Sequence, residues 1–314
     1  MGFTKSVAGE AFDLYWNSDW TMPIADVVTP VPTLAEAKQQ QKRLDTFAAD
    51  RSHYPPGFYD DSKQIDTEMA ELGEKLLWGA ARLLVDAVPD KDGKPQTHAE
   101  LDKTGVTLAR IASESSDEVL IQSAYLVLLD GGFDAFAAMT SRGVTVKLAT
   151  NSMASNNHLT AFVGYAKQRH RLLETGVELY EMRPDARSER ALFTSAQLKA
   201  QQTLFGLHAK TSVFDRKIAF VGSFNLDPRS VNLNTEMGLL VESEALADAV
   251  ADSIENDIAA GNSWQVVLKD DDKLAWITTE NGVITAETDT EPMTSTARRA
   301  EAKALAIVPD DAQL

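Results

Sequence analysis

The sequence predicts an α/β sandwich, in which helices pack on both faces of a mixed β-sheet. From Thr97 onward, short apolar runs typical of buried strands alternate with longer segments of helical periodicity. Gly143 and Gly176 each follow such a helical segment directly, as C-terminal stops do. Turn-forming residues at Asp215–Arg216 and Glu280–Gly282 each separate two apolar runs, which predicts two β-hairpins.

The first hundred residues are predicted to be mostly helical. Val7–Trp20 has apolar residues at helical spacing, and Thr33–Arg51 forms a second helix with its first residue as N-cap. A polar helix follows over Asp61–Glu74. The apolar segment Lys75–Val88 fits either a strand or a helix, and Pro89–Gln96 is predicted to be a surface loop because it is rich in Asp, Lys and Gly.

The region that begins at Thr97 supplies most of the predicted sheet. Its helices are expected at Leu101–Ser116, Phe133–Arg142, Leu159–Thr175 and Ala245–Ala260. Its strands are expected at Val119–Leu129, Val144–Thr150, Val177–Met182, Leu207–Phe214, Lys217–Val221, Glu236–Ser243, Lys273–Thr279 and Val283–Thr288. The polar insertion Arg183–Gln202, helical in part, forms either a rim over a site or an ordinary connection.

The polar residues best suited to chemistry lie between His208 and Glu236. Alternate residues of an extended strand share a face, so His208 and Lys210 point the same way, as do Ser223 and Asn225. A protein core rarely tolerates a cation with no carboxylate beside it, which argues against a purely structural explanation of this pair. The predicted hairpin therefore presents an imidazole, an ammonium, a hydroxyl and an amide to a common point.

Phosphoryl transfer is the chemistry that these groups suit. The oxygens of a phosphodiester are anionic, and Lys210, Ser223 and Asn225 can neutralise them or donate hydrogen bonds to them. His208 can then attack phosphorus and form a phosphohistidine, while Glu236 orients the ring or holds its proton. Because the required cations are side chains, the chemistry needs neither a metal nor another cofactor.

This segment resembles the HKD signature of the phospholipase D superfamily, His-x-Lys-x4-Asp-x6-Gly-Ser-x-Asn. Every position of the signature is met, by His208, Lys210, Asp215, Gly222, Ser223 and Asn225. The flanking runs are similar to the bacterial cardiolipin synthase branch, above all to its third type; they are Leu148–Ser152, Gly164–Ala166, Gly176–Glu181, Gly222–Ser230 and Leu233–Glu236. The likeness covers Leu108–Trp276, and more thinly the first twenty residues.

The resemblance implies a phosphatidyltransferase that acts on a phosphatidylglycerol-like lipid. It implies two histidines that face each other across the scissile phosphate, one as nucleophile and the other as acid and base. It also implies that Asp215 belongs to the catalytic set and that Gly222 and Asn151 bind substrate. Tyr125 either lines the same pocket or is a core residue, since the family tends to have proline where this sequence has Ala124.

A weak internal repeat bears on domain organisation. Val7–Trp20 and Val250–Trp264 both begin with Val-Ala, continue as amphipathic helices and end near Asn-Ser and Trp. Two-motif members of the superfamily consist of two similar halves that each end in such a helix, and this sequence has no other His-x-Lys. We therefore expect the tail of a first half and a connector over 1–96, a phospholipase D-like domain over 97–268, and a hairpin and tail over 269–314. The alternative is that the two helices are unrelated.

Three function classes follow from one motif per chain. The first is phosphatidyl transfer of the cardiolipin synthase type. The second is a phosphodiesterase or nuclease that works as a homodimer, with its two His208 residues paired by two-fold symmetry. The third is an inactive fragment, or a partner subunit whose other HKD half lies on a separate chain.

Composition narrows the expected partners and location. A net charge of −17 disfavours nucleic acid, because phosphate backbones repel such a chain. The sequence has no cysteine, no visible signal peptide and no apolar run of the roughly 18 residues that span a bilayer. We expect a protein in the cytoplasm, or at the periphery of the inner membrane of a bacterium. The alanine-rich tail Thr294–Leu314 is only weakly amphipathic, so membrane contact through it stays open.

Overall fold

A computed structural model describes residues 3–57, 62–88, 103–190, 193–200 and 205–307, and within these ranges one ten-stranded mixed sheet organises the chain. The strands are β1 (Ala80–Val85), β2 (Glu118–Ser123), β3 (Thr145–Asn151), β4 (Glu178–Met182), β5 (Lys210–Phe214), β6 (Ile218–Gly222), β7 (Met237–Glu242), β8 (Ser263–Leu268), β9 (Leu274–Glu280) and β10 (Val283–Thr288). Their order across the sheet is β1-β7-β6-β5-β2-β3-β4-β8-β9-β10. β2, β3 and β4 run parallel and the other neighbours antiparallel, which confirms the predicted mixed sheet.

Helices cover both faces of the sheet. They are α1 (Phe3–Trp16), α2 (Ile24–Val27), α3 (Leu34–Ala49), α4 (Ser62–Glu74), α5 (Thr104–Glu114), α6 (Asp130–Ser141), α7 (Leu159–Glu174), α8 (Ser195–Ala200), α9 (Pro228–Asn232), α10 (Glu244–Ile258) and α11 (Thr296–Leu305), with a 3-10 turn at Arg51–His53. Across the described ranges, none of them combines the length and the apolar character needed to cross a membrane.

The two faces bury separate apolar cores. On one face, side chains of α5, α6 and α7 pack against alternate residues of the central strands, among them Val119 and Ile121. On the other, α10 packs against the residues between them, such as Leu120. Strands buried on both faces need apolar residues on both, which explains why Val119, Leu120 and Ile121 of β2 are consecutive apolar residues rather than alternating with polar ones. This arrangement confirms the predicted α/β sandwich.

Four strand ends meet at one edge of the sheet and position the site. β2 ends at Ser123, which pairs with Lys210, the first residue of β5. β6 ends at Gly222, which pairs with Gly238 near the start of β7. The chain segments that enter β5 and leave β6 are therefore neighbours at this edge.

Both predicted hairpins are present with the expected turn residues. Asp215 and Arg216 have φ values of 48° and 49° between β5 and β6. Asn281 and Gly282 have φ values of 51° and 76° between β9 and β10. Two successive residues with positive φ give the turn whose twist matches antiparallel strands, and Asp, Asn and Gly adopt it at low cost.

Several helix and strand boundaries differ from the predicted ones. Lys75–Val88 contains strand β1, and the predicted N-cap Thr33 forms a full capping box with Glu36 at the start of α3. The predicted strand Val119–Leu129 stops at Ser123, because the Ser123 hydroxyl donates to the carbonyl of Tyr125 and turns the chain out of the sheet. Pro89–Gln96 lies outside the described residues.

Candidate active site

An imidazole and an ammonium group lie in contact at this sheet edge. The Nζ of Lys210 is 3.3 Å from Nδ1 and 3.4 Å from Nε2 of His208, and it donates to the His208 backbone carbonyl at 2.9 Å. Lys210 is only 9% exposed, whereas His208 is exposed. The charge of Lys210, aided by partial burial, lowers the pKa of His208 below its ordinary 6.5. At neutral pH the imidazole is therefore uncharged and keeps a nitrogen lone pair for attack.

Carboxylates near Lys210 keep its charge in place. Burial lowers the pKa of Lys210, while the charges of Glu236 and Asp227 act in the opposite direction. Both carboxylates are themselves buried. The structure thus supplies the counter-charges that the local sequence around His208 lacks, and a buried cation becomes tolerable.

The predicted contact between Glu236 and the imidazole is not present. The Glu236 carboxylate accepts hydrogen bonds from the hydroxyls of Ser223 and Ser230, the latter at 2.7 Å, and from the Asn234 amide at 3.1 Å. Within the described residues, no hydrogen bond joins Glu236 to His208. Three donors therefore hold this carboxylate under the loop that carries Ser223, where it orients the hydroxyl rather than the ring.

Asn225 presents a polar atom with no partner. Its side-chain oxygen is buried and accepts no hydrogen bond, while its backbone N–H donates to the Ser230 hydroxyl at 3.2 Å. An unpaired buried polar atom is costly, so it usually marks a place that a ligand or water fills. Because rotation of the amide exchanges oxygen and nitrogen, the same position can offer an N–H to a phosphate oxygen.

Asp215, predicted to be catalytic, lies at the other end of β5. At a rise of ~3.3 Å per residue it is roughly 16 Å from Lys210 along the chain. Its carboxylate accepts hydrogen bonds from the backbone N–H groups of Ser116, Asp117 and Glu118, at 2.8–3.0 Å for the shortest contact of each. Burial opposes ionisation, but these bonds outweigh it and lower the pKa of Asp215. Asp215 thus ties the hairpin to the start of β2, and its place in the catalytic set stays a prediction.

Gly222, predicted to bind substrate, lies where close packing leaves no space for a side chain. A Cβ atom at this position would lie 2.5 Å from the carbonyl oxygen of Met237 and 2.6 Å from the ring of Phe220. The paired Gly238 is equally restricted, because its Cβ would lie 2.3 Å from the same ring. The two glycines let the Phe220 ring pack across β6 and β7, and this close approach sets the position of Ser223.

Asn151, the second predicted substrate ligand, is fully used within the protein. Its amide nitrogen donates to the carbonyls of Ala124 and Leu207, at 3.0 and 2.8 Å. Its amide oxygen accepts from the N–H of Leu207 at 2.8 Å and from the hydroxyl of Ser155 at 3.1 Å. With every donor and acceptor satisfied, Asn151 positions the segment that precedes His208. It also lines the cavity beside His208, and its role in substrate binding stays a prediction.

Tyr125 is half-buried rather than part of the core. Its hydroxyl is 3.4 Å from the Asn157 side chain, and its ring stacks edge-on against His158 at 5.8 Å. Burial, together with the negative charge of Asp227, raises its pKa. The structure thus brings Tyr125 near the charged groups of the site but shows it engaged with the loop after β3.

A cavity of about 510 Å³ opens beside His208. Its walls come from the loop after β3, from the segment that precedes His208, and from the start of α11. Arg298 of α11 lines it and donates to the carbonyls of Met153 and Asn156, at 3.1 and 2.8 Å. Sequence reasoning could not place Arg298 here, because its contacts with Met153 and Asn156 span more than 140 residues. Among the described residues, no cluster of three or more His, Asp or Glu is placed to hold a metal.

Removal of the Lys210 charge should raise the pKa of His208. In Lys210→Met the imidazolium no longer faces a nearby cation, so its titration midpoint should move up toward 6.5. The measurement is a titration of the His208 ring protons by NMR. Lys217→Met, at an exposed lysine of the same hairpin, removes an equal charge and should leave the midpoint in place. An unchanged midpoint in Lys210→Met would show that the ammonium does not control the imidazole.

Comparison with known proteins locates the domain. Residues 108–258 match the family described as Cardiolipin synthase, PLD-like domain. Cardiolipin synthase C of Escherichia coli strain K12 is 36% identical over 203 residues, which are 64% of this chain and 41% of that protein. An uncharacterised protein of Helicobacter pylori is 26% identical over 303 residues, 94% of this chain and 56% of that protein. The chain thus spans about half the length of these relatives.

Solved structures give a weaker similarity. Nuc of Salmonella typhimurium, a phospholipase D family member, aligns with 59% of this chain and 97% of its own, at a TM-score of 0.39 and 14% identity. The family match includes the sheet edge that carries the HKD residues. Residues 108–258 therefore form a PLD-like domain of the cardiolipin synthase type, and this chain is a homologue of cardiolipin synthase C.

Proposed function

We propose that this chain takes part in phosphatidyl transfer through a phosphohistidine formed on His208. The observation that carries the proposal is the contact between the exposed His208 imidazole and the buried Lys210 ammonium. The loop that leaves the same sheet edge after β6 carries Asn225, whose buried side-chain oxygen has no partner. A nucleophile needs a free lone pair, and a phosphodiester needs donors on its anionic oxygens. Both needs are met at this one edge of the sheet.

The reaction divides into two displacements at phosphorus. A ring nitrogen of His208 attacks, a nitrogen–phosphorus bond forms, and the ester bond to the head-group alcohol breaks. Lys210, Asn225 and the hydroxyl of Ser223 hold the phosphoryl oxygens as charge accumulates on them. The leaving alkoxide takes up a proton. In the second step the glycerol hydroxyl of another phospholipid gives up a proton and attacks phosphorus, which releases His208 and yields the transferred lipid.

The proton carrier is a second histidine in this proposal. It comes either from a second copy of this chain or from another polypeptide with its own HKD set. A symmetric pair of sites is the simpler solution for a single-motif chain, since two-fold symmetry brings equivalent residues face to face. We expect the assembled enzyme to work at the cytoplasmic surface of a bacterial membrane, where its lipid substrate lies.

Two observations favour a lipid over a nucleic acid as substrate. The family that matches residues 108–258 and the relative at 36% identity are both described as cardiolipin synthases. The net charge of −17 opposes binding of a polyanionic backbone, whereas a single lipid phosphate needs only a locally basic point such as Lys210.

Incubation of the purified chain with phosphatidylglycerol vesicles tests the proposal. The lipid products are identified by mass spectrometry, with an equal amount of plasmid DNA supplied in parallel without added metal. Accumulation of cardiolipin supports transfer, and accumulation of phosphatidic acid supports hydrolysis at the same site. Cleavage of DNA with no change in the lipid would contradict the proposal and assign a nuclease instead.

A further inference from the structure

An apolar cavity of about 370 Å³ lies between α5 and α6, directly under the site. Ile121 and Phe214 of the sheet form its floor. Ala109 of α5 and Ala135 of α6 stand on opposite walls, where small side chains leave the space open. A void of ~150 Å³ with apolar walls takes up benzene, so this one has room for on the order of a dozen carbons.

The inner end of the cavity is lined by direct neighbours of the site residues. Phe224 and Leu226 line the cavity, while Asn225 between them carries the unpartnered amide of the site. Asp227 also lines it, and its charge acts on Lys210. Ser123, which pairs with Lys210 in the sheet, lines the same end. A molecule that fills this cavity thus has its inner end next to the groups that would hold a phosphate.

The outer end is apolar too. Val106 and Leu129 line the cavity and are 65% and 44% exposed. Exposed apolar side chains around an apolar opening are typical of a surface that contacts lipid or another apolar ligand. An unbranched hydrocarbon that enters from a bilayer would meet apolar groups along its whole path.

From this we infer that the cavity binds one acyl chain of the phospholipid whose phosphate lies at His208 and Lys210. The inference rests on the proposed function and adds a substrate determinant to it. Lipids with long acyl chains gain affinity because a chain is buried in the cavity, and diesters without acyl chains do not. Each buried methylene contributes roughly 0.8 kcal/mol to binding, so a chain that fills the cavity gives much of the affinity.

The test fills the cavity and measures binding separately from catalysis. Ala135→Trp places an indole across the space, and Ala137→Trp places one on an exposed position of the same helix that does not line it. The probe is cis-parinaric acid, an 18-carbon fatty acid that fluoresces in apolar surroundings. We expect wild type and Ala137→Trp to bind it alike and Ala135→Trp to bind it at least tenfold more weakly. Ala109→Trp, on the opposite wall, repeats the test should Ala135→Trp not fold.

Two turnover assays separate the inference from the proposed function. Ala135→Trp should lose at least tenfold in kcat/KM for dioleoylphosphatidylglycerol but retain turnover of bis(p-nitrophenyl) phosphate, which has no acyl chain. Unweakened probe binding in the filled variants, or no probe binding by wild type, overturns the inference. Probe binding that is lost in Ala135→Trp, in a protein that turns over neither diester, would uphold the acyl site and refute the proposed function.

Discussion

His208→Ala should lower phosphatidyl transfer by at least roughly a thousandfold, since removal of a covalent nucleophile costs several orders of magnitude in rate. Alanine leaves Lys210, Ser223 and Asn225 in place but supplies no atom to bond to phosphorus. Initial rates of transfer from phosphatidylglycerol measure the loss. Because His208 is exposed, the substitution should leave the thermal unfolding midpoint almost unchanged.

A matched variant and chemical rescue sharpen this prediction. His170→Ala removes an imidazole from the surface of α7, where it pairs with Asp272 at 2.8 Å, and should leave the rate unchanged. Free imidazole has access to the 510 Å³ cavity beside residue 208 and should restore part of the rate of His208→Ala. If His208→Ala kept more than a tenth of the wild-type rate, His208 could not be the nucleophile.

Mixtures of wild type and His208→Ala identify the source of the second histidine. If two copies of this chain share each site, random pairing makes the activity fall as the square of the wild-type fraction, to a quarter in an equal mixture. If the second histidine lies on another polypeptide, activity falls in direct proportion, to one half, in the presence of that polypeptide. The two curves differ most near equal mixing, which is where the rates are to be measured.

Arg169→Met should destabilise the fold by about 3–5 kcal/mol, the usual cost of removing one partner from a buried ion pair. The Arg169 side chain is 2% exposed and lies 3.3 Å from Glu181 and 2.6 Å from Glu291. Its guanidinium also faces the rings of Phe162, Tyr165 and Trp276, at 5.2, 5.1 and 5.0 Å. Without it, the buried Glu181 loses the guanidinium that faces it and Glu291 loses its nearest cation. Urea unfolding measures the change in free energy.

The pKa of Glu291 shows that this carboxylate depends on the Arg169 guanidinium to stay ionised. Burial raises the pKa of Glu291 to about 7 even with Arg169 beside it. Glu291 lies between β10 and α11, so the buried group ties the segment that leads to Arg298 onto α7 and β4. Arg110→Met, which breaks an exposed pair with Glu114 on α5, is the control and should cost under ~1 kcal/mol. If Arg169→Met also lowered the free energy of unfolding by less than ~1 kcal/mol, the buried ion pair would not stabilise the fold.

The alternation of strand residues predicts that His208 and Lys210 share a face, and these two side chains are in contact. The convergence of Ser223 and Asn225 on the same point stays a prediction. Asp215 lies in the turn, one strand length from the residues at the start of β5. The HKD signature gives an order along the chain, not a distance in space. A residue can therefore belong to the signature and still act only as a structural tie.

Other features of the site could not be predicted, because they depend on contacts between distant segments. Asn151 binds both backbone groups of Leu207, and Glu236 binds Ser223 in place of the imidazole. Strand β8 is absent from the predicted strands, because Ser263 and Trp264 at its start also end the helical repeat Val250–Trp264. The predicted division into 1–96, 97–268 and 269–314 stays a prediction, although β1 and β8–β10 all join the sheet of the central region.

The central claim is that phosphorus becomes covalently bonded to His208. Rapid mixing of the protein with phosphatidylglycerol, followed by quenching in base, where phosphohistidine is stable, and peptide mass spectrometry, tests it directly. We predict an added phosphatidyl or phosphoryl mass on the peptide that contains His208, absent from His208→Ala and lost when an acceptor lipid is supplied before the quench. Turnover of lipid with no adduct on that peptide, or with an adduct on another residue, would contradict the account.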